Sequence, residues 1–539
     1  MTTKSIYHPV IPTNKAKSTI RQKRAIGLPV GVAMLLALLA GGVFSLALAP
    51  YHLWPVAIFS VMALYALLIN EDGACRAFWI GQAYGFGTWA VGAFWLYHSI
   101  HEYGAISSWL AVIMIGMMAM VMGLFHAVFA WVFVRFVGRQ PLAFASLWVI
   151  QEWLKTWVFS GFPWLFVGYV FTEQSWINGL APIFGVFGIS FVAVFFAASV
   201  VELFRQKLAF FVLSVLALLA SFLVGQADWV KIKNDKLSVS LVQGNIPQDL
   251  KWLTQYRTHT LEIYENLSKN EWGRDVVIWP EAAIPMSQNE ARPFINHIAS
   301  TAIQHDSAWV TGLMYRDFDG YDETKDAYPS IYNSVVAIDN TGVGLYKKQR
   351  LVPFGEYVPF AGLLNILPDL ANMQGTVNIS AGDNTQSPLT VKDKNMGAAI
   401  CYEVAYPDTT RLNAKNAEVL LTISNDAWFG TTAGPWQHLQ MVQMRSLETG
   451  RYFIRATNTG ITAIINHKGQ IESQAPQFKR TILRGEVPMV VGVTPFVRFG
   501  SYPILGLSAL LIILSFMAKN SQSATSLNQK YYTAKGVRD

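Results

Sequence analysis

Eight apolar runs, each close to the length of a membrane-spanning helix, constrain this 539-residue chain more than any other feature of its sequence. A helix needs about 20 mainly apolar residues to cross a bilayer. Charged residues make up only 14% of the chain, against about 25% in soluble domains. The sequence therefore predicts a polytopic α-helical membrane bundle of about eight spans, with the apolar runs at 26–49, 53–70, 77–99, 107–134, 141–160, 182–203, 208–226 and 502–518.

The distribution of basic residues predicts how these spans are oriented. Residues 231–500 hold 25 Lys and Arg against 26 Asp and Glu, so the net charge of +7 arises outside that segment. The other basic residues lie in the N-terminal tail, in alternate connections around Arg76, Arg135 and Arg205, and after the last span. Cytoplasmic loops are enriched in Lys and Arg. Both termini are therefore expected in the cytoplasm and the long segment after residue 228 on the far side, and nucleic-acid binding has no support.

These patterns divide the chain into five expected parts: a basic cytoplasmic tail (1–24), a membrane bundle of seven spans (25–227), an extramembrane domain (228–500), a last span (501–518) and a cytoplasmic tail (519–539). The basic tail is not expected to be part of a cleavable signal, because a second span follows the first at once. From about Lys236, short β-type runs alternate with helical patterns, which predicts an α/β domain. The partly apolar segment 361–390 reads as a long loop, of the kind that is usually functional or disordered.

Two charged residues lie inside the fifth predicted span. Glu152 and Lys155 are three residues apart on one helical face, where they can neutralise each other inside the bundle. One interpretation is a structural pair that packs between helices. The other is a lipid head-group site near the chain break at 161–164. The structural interpretation is favoured.

Three reactive side chains stand directly after strand-like runs, where an α/β sheet presents its active site. They are Glu281, Lys348 and Cys401. A thiolate is a strong nucleophile, a carboxylate can move the thiol proton, and an ammonium can hold the oxyanion of a tetrahedral intermediate. This set suits acyl transfer through a thioester. Taken singly, however, each residue has a common structural explanation: packing for the Cys, helix capping for the Glu, and a solvated surface charge for the Lys.

The motifs around these residues resemble those of the nitrilase superfamily, and in particular its membrane-embedded branch, the apolipoprotein N-acyltransferases. The resemblance to the Glu-Lys-Cys triad rests on Trp279-Pro280-Glu281, Tyr346-Lys347-Lys348 with Leu351-Val352-Pro353-Phe354-Gly355-Glu356, and Ile400-Cys401-Tyr402-Glu403. The resemblance to the membrane-embedded branch rests on Gly244-Asn245-Ile246-Pro247-Gln248 with Lys251-Trp252, Ser424-Asn425-Asp426-Ala427-Trp428-Phe429-Gly430 and Gly434-Pro435-Trp436-Gln437-His438.

This resemblance implies a nitrilase-like α-β-β-α sandwich on the periplasmic face of a bacterial inner membrane. It implies transfer of a fatty acyl chain from a glycerophospholipid, through a Cys thioester, to the α-amino group of the diacylglyceryl-cysteine of an apolipoprotein. It makes Glu281 the general base, Lys348 the oxyanion-stabilising group and Cys401 the nucleophile. Supporting or substrate-binding roles fall on Trp252, Asn333, Glu356, Tyr402 and Glu403. No metal or other cofactor is implied.

Two other functions remain open at this stage. A membrane-anchored amidohydrolase of the nitrilase type would use the same triad and pass the acyl group to water. Seven spans before the domain speak against it, because one helix suffices as an anchor. A transporter with a periplasmic binding module is the second alternative, but the paired repeats and broken midplane helices of transporters are not evident.

Overall fold

The computed structural model describes residues 28–318, 329–357 and 379–534, with side chains described as far as residue 521. The tail at 1–24 and most of the predicted 361–390 loop, with its apolar residues at 363–373, lie outside the described residues. Up to residue 227 the described chain is helical, with α1 Val30–Val43, α2 Trp54–Ile69, α3 Ala74–Gly92, α4 Leu96–His98, α5 Ser108–Arg135, α6 Pro141–Leu154, α7 Val167–Val170, α8 Ala181–Phe204 and α9 Leu208–Val224.

Several of these helices have the length and apolar composition of membrane spans. Four meet both criteria fully, namely Val30–Ala47, Ser108–Arg135, Asn178–Phe204 and Tyr502–Ser521. Two shorter apolar helices are Trp54–Ile69 and Leu208–Val224, and α3 and α6 occupy the two remaining predicted positions. A helical region with several apolar helices is therefore present, and the count of eight spans stays a prediction.

Glu152 and Lys155 are both buried, but within the described chain they form no salt bridge with each other. The Glu152 Oε1 atom accepts a hydrogen bond from Trp148 Nε1 at 3.0 Å and another from a backbone amide. The Lys155 ammonium lies 5.6 Å and 5.3 Å from the ring centroids of Trp89 and Phe166, within cation–π range. The two charges are therefore not in direct contact, each has other partners inside the bundle, and the structural interpretation stays a prediction.

The extramembrane domain contains two mixed β-sheets. One has the order β13-β1-β2-β4-β5-β6, with β3 paired to β4, and the other has the order β12-β11-β10-β9-β8-β7. The strands are β1 Lys231–Gln243, β2 Val276–Ile278, β3 Ile284–Ser287, β4 Ala308–Asp317, β5 Ser330–Asp339, β6 Gly342–Lys347, β7 Leu389–Val391, β8 Lys394–Ile400, β9 Val419–Ser424, β10 Phe453–Thr457, β11 Ala463–Ile465, β12 Ile471–Gln474 and β13 Thr481–Val491. The remaining helices are α10 Gln248–Lys251, α11 Thr254–Ser268, α12 Arg292–Gln304, α13 Pro407–Ala414, α14 Gly434–Thr449, α15 Pro495–Phe499 and α16 Tyr502–Ala534.

The two sheets pack face to face, and helices cover their outer faces. Apolar side chains of both sheets form one buried core, which includes Val239, Ile278 and Leu421. Helices α11 and α12 pack on the first sheet. Helices α13 and α14 pack on the second sheet, and their core is continuous with that of the membrane helices. As the sequence predicts, the domain is an α-β-β-α sandwich, and one of its outer helical layers rests directly on the bundle.

The parallel parts of the two sheets determine where a site can form. Strands β1, β2 and β4 run parallel in one sheet, and β8, β9 and β10 run parallel in the other. Strand β6 is antiparallel to β5, which is antiparallel to β4, so β6 ends at the same edge as β2 and β4. The segments that follow β2, β6 and β8 contain Glu281, Lys348 and Cys401. Side chains that are distant in sequence therefore meet at one end of the sandwich.

Candidate active site

Glu281 and Lys348 come together at the ends of β2 and β6. The Lys348 Nζ atom lies 3.7 Å from Glu281 Oε1, and its ammonium is buried. The other carboxylate oxygen of Glu281, Oε2, accepts a hydrogen bond from the Asn425 backbone amide at 2.9 Å. Gly312 on β4 leaves room for the backbone of Glu281, because a Cβ atom at position 312 would lie only 2.8 Å from the Cα atom of Glu281. The carboxylate is therefore held in a fixed position beside the ammonium.

Cys401 occupies a strained turn between β8 and a short 3₁₀ helix, Cys401–Ala405. Its φ angle is +50°, in the left-handed region that residues other than glycine rarely adopt. Strain of this kind persists only where the surroundings hold it, and it clusters at active sites. A nucleophile on a sharp strand-to-helix turn presents its side chain at the end of the sheet. The backbone therefore directs the thiol toward the edge where the other two side chains lie.

The charges of the site act on one another. Burial, followed by the Glu281 carboxylate, raises the pKa of the Cys401 thiol to about 12, although the Lys348 ammonium opposes this shift. Burial alone would lower the pKa of Lys348, but Glu356 and Glu281 together raise it above its ordinary value. At neutral pH the resting site therefore combines a thiol with an ammonium. A thiol in this state needs a base before it can act as a nucleophile.

Asn333 and Glu356 complete the surroundings of this pair. The Asn333 Nδ2 atom donates to Glu281 Oε1 at 2.8 Å and to Glu356 Oε1 at 3.0 Å. The Lys348 Nζ atom donates to the same Glu356 oxygen at 2.8 Å. The amide bridges two carboxylates that would otherwise repel each other, and the ammonium lies between them. Both residues are therefore in direct contact with Glu281 or Lys348.

Glu403 and Tyr402 lie beside Cys401 but have different partners. Glu403 is fully buried and accepts hydrogen bonds from the Tyr346 hydroxyl at 3.0 Å and the Arg350 backbone amide at 3.0 Å, as well as from two further amides. It therefore connects the Lys348 segment to the Cys401 turn. The Tyr402 hydroxyl donates to the Gly161 carbonyl at 3.1 Å, which connects that turn to the membrane bundle.

Trp252 is the predicted residue that the structure separates from the others. Its side chain is 41% exposed, and among the described residues it has no ring contact or hydrogen bond to the triad. The preceding residue, Lys251, is buried instead, and its ammonium donates to the Glu281 backbone carbonyl at 3.0 Å. Burial lowers the pKa of Lys251 to about 8, although the Glu281 carboxylate opposes this shift. The motif that contains Lys251 and Trp252 indicates that this segment lies near Glu281. Its spacing alone does not show which of the two side chains is buried.

A buried network that sequence reasoning missed supports the Cys401 backbone. His438 Nε2 lies 2.9 Å from the Cys401 carbonyl oxygen, and its Nδ1 lies 3.2 Å from an Arg455 nitrogen. Burial and Arg455 lower the pKa of His438. A neutral ring that carries its proton on Nε2 donates to Cys401 and accepts from Arg455. Asp426 pairs with Arg455, and although burial opposes it, that guanidinium holds the pKa of Asp426 well below its ordinary value.

We expect His438 to act as a positioning residue for the strained turn. A His438→Ala variant leaves the Cys401 carbonyl without its donor, at a cost of roughly 1–3 kcal/mol. The rate of Cys401 acylation should fall by about 10- to 100-fold, with little change in the donor concentration that gives half-maximal rate. A His438→Gln variant, which retains a donor, should recover part of the rate. Mass spectrometry of samples quenched at successive times measures the acylation rates of the two variants. Equal rates for His438→Ala and wild type would refute the positioning role of His438.

The described part of the predicted 361–390 loop begins at residue 379, and it contacts the site. The Ile379 amide donates to the Glu356 carbonyl at 3.1 Å, and the Gly382 amide donates to the Lys348 carbonyl at 2.7 Å. The end of the loop is therefore hydrogen-bonded to two residues of the site. Within the described residues, no group of three His, Cys, Asp or Glu side chains is arranged to hold a metal ion.

Comparison with known proteins places this geometry in a family. Residues 40–199 match the model of the apolipoprotein N-acyltransferase N-terminal domain, and residues 238–493 match the carbon-nitrogen hydrolase model. An apolipoprotein N-acyltransferase of Pseudomonas aeruginosa is 39% identical over 510 residues, covering 92% of this chain and 98% of the relative. Its counterpart from Vibrio parahaemolyticus is 35% identical over 498 residues, covering 89% and 96%. The chain belongs to the apolipoprotein N-acyltransferase family.

As a member of that family the chain is an acyltransferase, and the resemblance drawn from its motifs is confirmed. A further relative of the same name, from Pseudomonas syringae pv. tomato, is 38% identical over 496 residues, covering 90% of this chain and 96% of the relative. Among solved structures, Saccharomyces cerevisiae Nit3, a member of branch 10 of the nitrilase superfamily, is 17% identical. That alignment covers 49% of this chain and 92% of Nit3, with a TM-score of 0.36.

Proposed function

We propose that Glu281, Lys348 and Cys401 are the catalytic residues of this acyltransferase. One observation carries the proposal: the carboxylate and the ammonium are 3.7 Å apart, and both act electrostatically on the buried thiol. A base, an oxyanion-stabilising cation and a nucleophile are thus present together at the end of the sandwich. Asn333 and Glu356 orient the first two, and Glu403 holds the two segments together. Tyr402 connects the nucleophile to the membrane bundle.

The first half-reaction forms a thioester. Glu281 takes the thiol proton, and the Cys401 sulfur attacks an ester carbonyl of a glycerophospholipid. The Lys348 ammonium stabilises the oxyanion of the tetrahedral intermediate. When that intermediate collapses, the carbon–oxygen bond to the glycerol breaks, and Glu281 returns the proton to the departing alkoxide. A lysophospholipid leaves, and the acyl chain stays on sulfur.

The second half-reaction passes the acyl chain to an amine. Glu281 takes a proton from the α-ammonium group of a diacylglyceryl-cysteine, and the nitrogen attacks the thioester carbonyl. The carbon–sulfur bond breaks, a second proton passes from the nitrogen through Glu281 to the sulfur after the first has been released to solvent, and an amide is formed. Both substrates are lipids, and each CH₂ removed from an apolar environment costs about 0.8 kcal/mol. A site that rests directly on a membrane bundle avoids this cost, because the chains stay in lipid.

The orientation proposed for the chain follows its basic residues. Seven spans lie in residues 25–227 and the eighth in residues 501–518. This arrangement puts residues 228–500 in the periplasm and both termini in the cytoplasm of an inner-membrane protein. In a background without native cysteines, single cysteines at His101 and Ser330 should react with a membrane-impermeant maleimide in intact spheroplasts. A cysteine at Lys530 should react only after lysis. Labelling of Lys530 from outside would contradict eight spans.

The amidohydrolase alternative differs only in the final acceptor, so product analysis separates the two functions. Purified enzyme is given a phospholipid and a diacylglyceryl-cysteine peptide, and the peptide mass and free fatty acid are measured together. We expect the peptide to gain one acyl chain in near-stoichiometric ratio to the lysophospholipid produced. The matched control is the same peptide with its α-amino group acetylated, which should gain nothing. Free fatty acid as the main product with both peptides would indicate hydrolysis.

A further inference from the structure

A groove of about 210 Å³ lies where the sandwich meets the ends of two membrane helices. The interfacial groove, as we call it, is lined by membrane-helix residues on one side and by residues of the sandwich on the other. The residues that define it are Trp153, Trp157, Arg350, Asp408, Ser501 and Leu505. Pockets that enclose drug-sized ligands measure about 300–1,000 Å³. The groove is therefore large enough for a compact polar group but too small for a whole lipid.

One side of the groove has the character of a membrane–water interface. Trp153 and Trp157 belong to the end of α6 and the turn after it, and their rings are in edge-to-face contact at 5.3 Å. Tyr502, which also lines the groove, begins α16 and is 78% exposed, and Leu505 follows one turn later. Trp and Tyr are enriched at the head-group level of a bilayer. A molecule in this groove would therefore extend its apolar part along α6 and α16 into lipid.

The opposite side carries one positive and one negative charge. The Arg350 guanidinium lies 5.1 Å from the Tyr406 ring centroid, and its Nε atom makes a long 3.4 Å contact with Thr409. Its two terminal nitrogens have no partner among the described residues. Asp408 pairs with Arg411 at 3.1 Å, through Oδ1 only. Arg350 and Asp408 line the same groove but form no salt bridge with each other in the described chain, so both retain capacity for a ligand.

Ser501 provides a separate indication of a ligand. It lines the groove, its side chain is only 4% exposed, and its hydroxyl has no hydrogen-bond partner among the described residues. Buried polar groups are nearly always hydrogen-bonded, and leaving one unsatisfied costs about 1–3 kcal/mol. The orphaned hydroxyl in the wall of the groove therefore has a donor left for a bound group, which it reaches by rotation about its Cα–Cβ bond.

We propose that the interfacial groove binds the zwitterionic head group of a phosphatidylethanolamine molecule that is not the acyl donor. The Arg350 guanidinium and the Ser501 hydroxyl hydrogen-bond the phosphate, and the Asp408 carboxylate binds the ammonium. An anionic head group such as phosphoglycerol would satisfy Arg350 but leave the Asp408 Oδ2 atom without a partner beside a phosphate. The pair of opposite charges therefore selects a zwitterion over an anion.

The groove is separated from Cys401 by a wall of hydrogen-bonded side chains. The hydroxyls of Tyr402 and Tyr406 both donate to the Gly161 carbonyl, at 3.1 Å and 3.0 Å. Tyr406 lines the groove, whereas Tyr402 directly follows the nucleophile. A lipid in the groove therefore contacts the base of the Cys401 turn without presenting its ester to the thiol. This lipid would bind the sandwich to the bundle.

The test uses diether phosphatidylethanolamine, which has no ester and cannot acylate Cys401. Native mass spectrometry of the full-length protein in detergent measures its binding, with diether phosphatidylglycerol as the anionic comparison. We expect Arg350→Gln to weaken phosphatidylethanolamine binding by about tenfold. Lys415→Gln, which removes an exposed charge directly after α13 and outside the groove, should not weaken it. Asp408→Asn should abolish the preference for phosphatidylethanolamine over phosphatidylglycerol.

Acylation kinetics distinguish a separate lipid site from a donor site. With a diester phospholipid as donor, Arg350→Gln should require the same donor concentration for half-maximal acylation of Cys401 as wild type. A several-fold increase would mean that the groove belongs to the path of the donor, and would overturn the proposal. Equal diether-lipid binding by Arg350→Gln and Lys415→Gln would also overturn it. So would a wild-type protein that binds the two diether lipids equally well.

Discussion

A Cys401→Ala variant should lose N-acyltransfer by at least about 10⁴-fold, the scale seen when a covalent nucleophile is removed. No other described side chain at the end of the sandwich should replace it, because the Ser424 hydroxyl beside the thiol is hydrogen-bonded to Asp426 and the other neighbouring groups are a carboxylate, an ammonium and amides. Alanine has the same Cβ as cysteine, so it suits the φ angle of +50° equally well, and the fold should persist. The measurement is the rate of peptide acylation by purified variant.

The second cysteine of the chain provides the matched control. Cys75 is exposed near the start of α3, in a connection predicted to be cytoplasmic. A Cys75→Ser variant should therefore retain full activity. Both variants should elute as the same species on gel filtration and melt within a few degrees of wild type. Substantial turnover by Cys401→Ala would refute covalent catalysis at this residue.

A Glu281→Gln variant should reduce the acylation rate by about 10²- to 10⁴-fold, the usual contribution of a general base. Glutamine has nearly the same shape, and its single amide oxygen still accepts one of the two hydrogen bonds, from Asn333 or from the Asn425 amide, but it cannot take the proton of the thiol. Burial is the largest cause that raises the pKa of Cys401, and it persists when the carboxylate is removed, so little thiolate is present at neutral pH without that base. Single-turnover acylation measured by mass spectrometry tests this prediction.

The pH dependence of the acylation rate provides a second test of the same prediction. In Glu281→Gln the reaction depends on spontaneous ionisation of Cys401, and the thiolate fraction increases about tenfold per pH unit below the pKa. The rate of the variant should therefore rise steadily from pH 7 to 9, and more steeply than that of wild type. Glu262→Gln, on the exposed surface of α11, should behave as wild type. A pH-independent rate in Glu281→Gln would assign the base to another group.

Much of the fold could be predicted from local patterns. Apolar runs of fixed length and alternating strand patterns depend on residues that are near one another in sequence, so they predicted the helical bundle and most strands of both sheets. Strand β6, at Gly342–Lys347, gives only a weak strand pattern, because it is short and contains two glycines. Helix α13 at Pro407–Ala414 is not evident from the sequence, because it is short and most of the side chains that it buries are polar.

The site illustrates what short-range patterns leave undetermined. The resemblance predicted that Glu281, Lys348 and Cys401 act together, but no spacing shows that β2, β6 and β8 end at one edge of the sandwich. It also could not show that Lys251 is buried while Trp252 is exposed. The contact of His438 with Cys401 joins residues 37 positions apart. Such contacts depend on tertiary packing, which separates residues that are adjacent in sequence and joins residues that are not.

The central claim is that Cys401 carries the acyl chain between two half-reactions, and the intact mass of wild-type enzyme tests it most directly. The enzyme is incubated with a phospholipid of defined chains and no acceptor, and is then digested to locate any adduct. We expect a mass increase of one fatty acyl group, located on Cys401 and removed when a diacylglyceryl-cysteine peptide is added, with the same acyl group appearing on the peptide amine. An enzyme that forms N-acylated peptide at its normal rate while its own mass never changes would contradict the account.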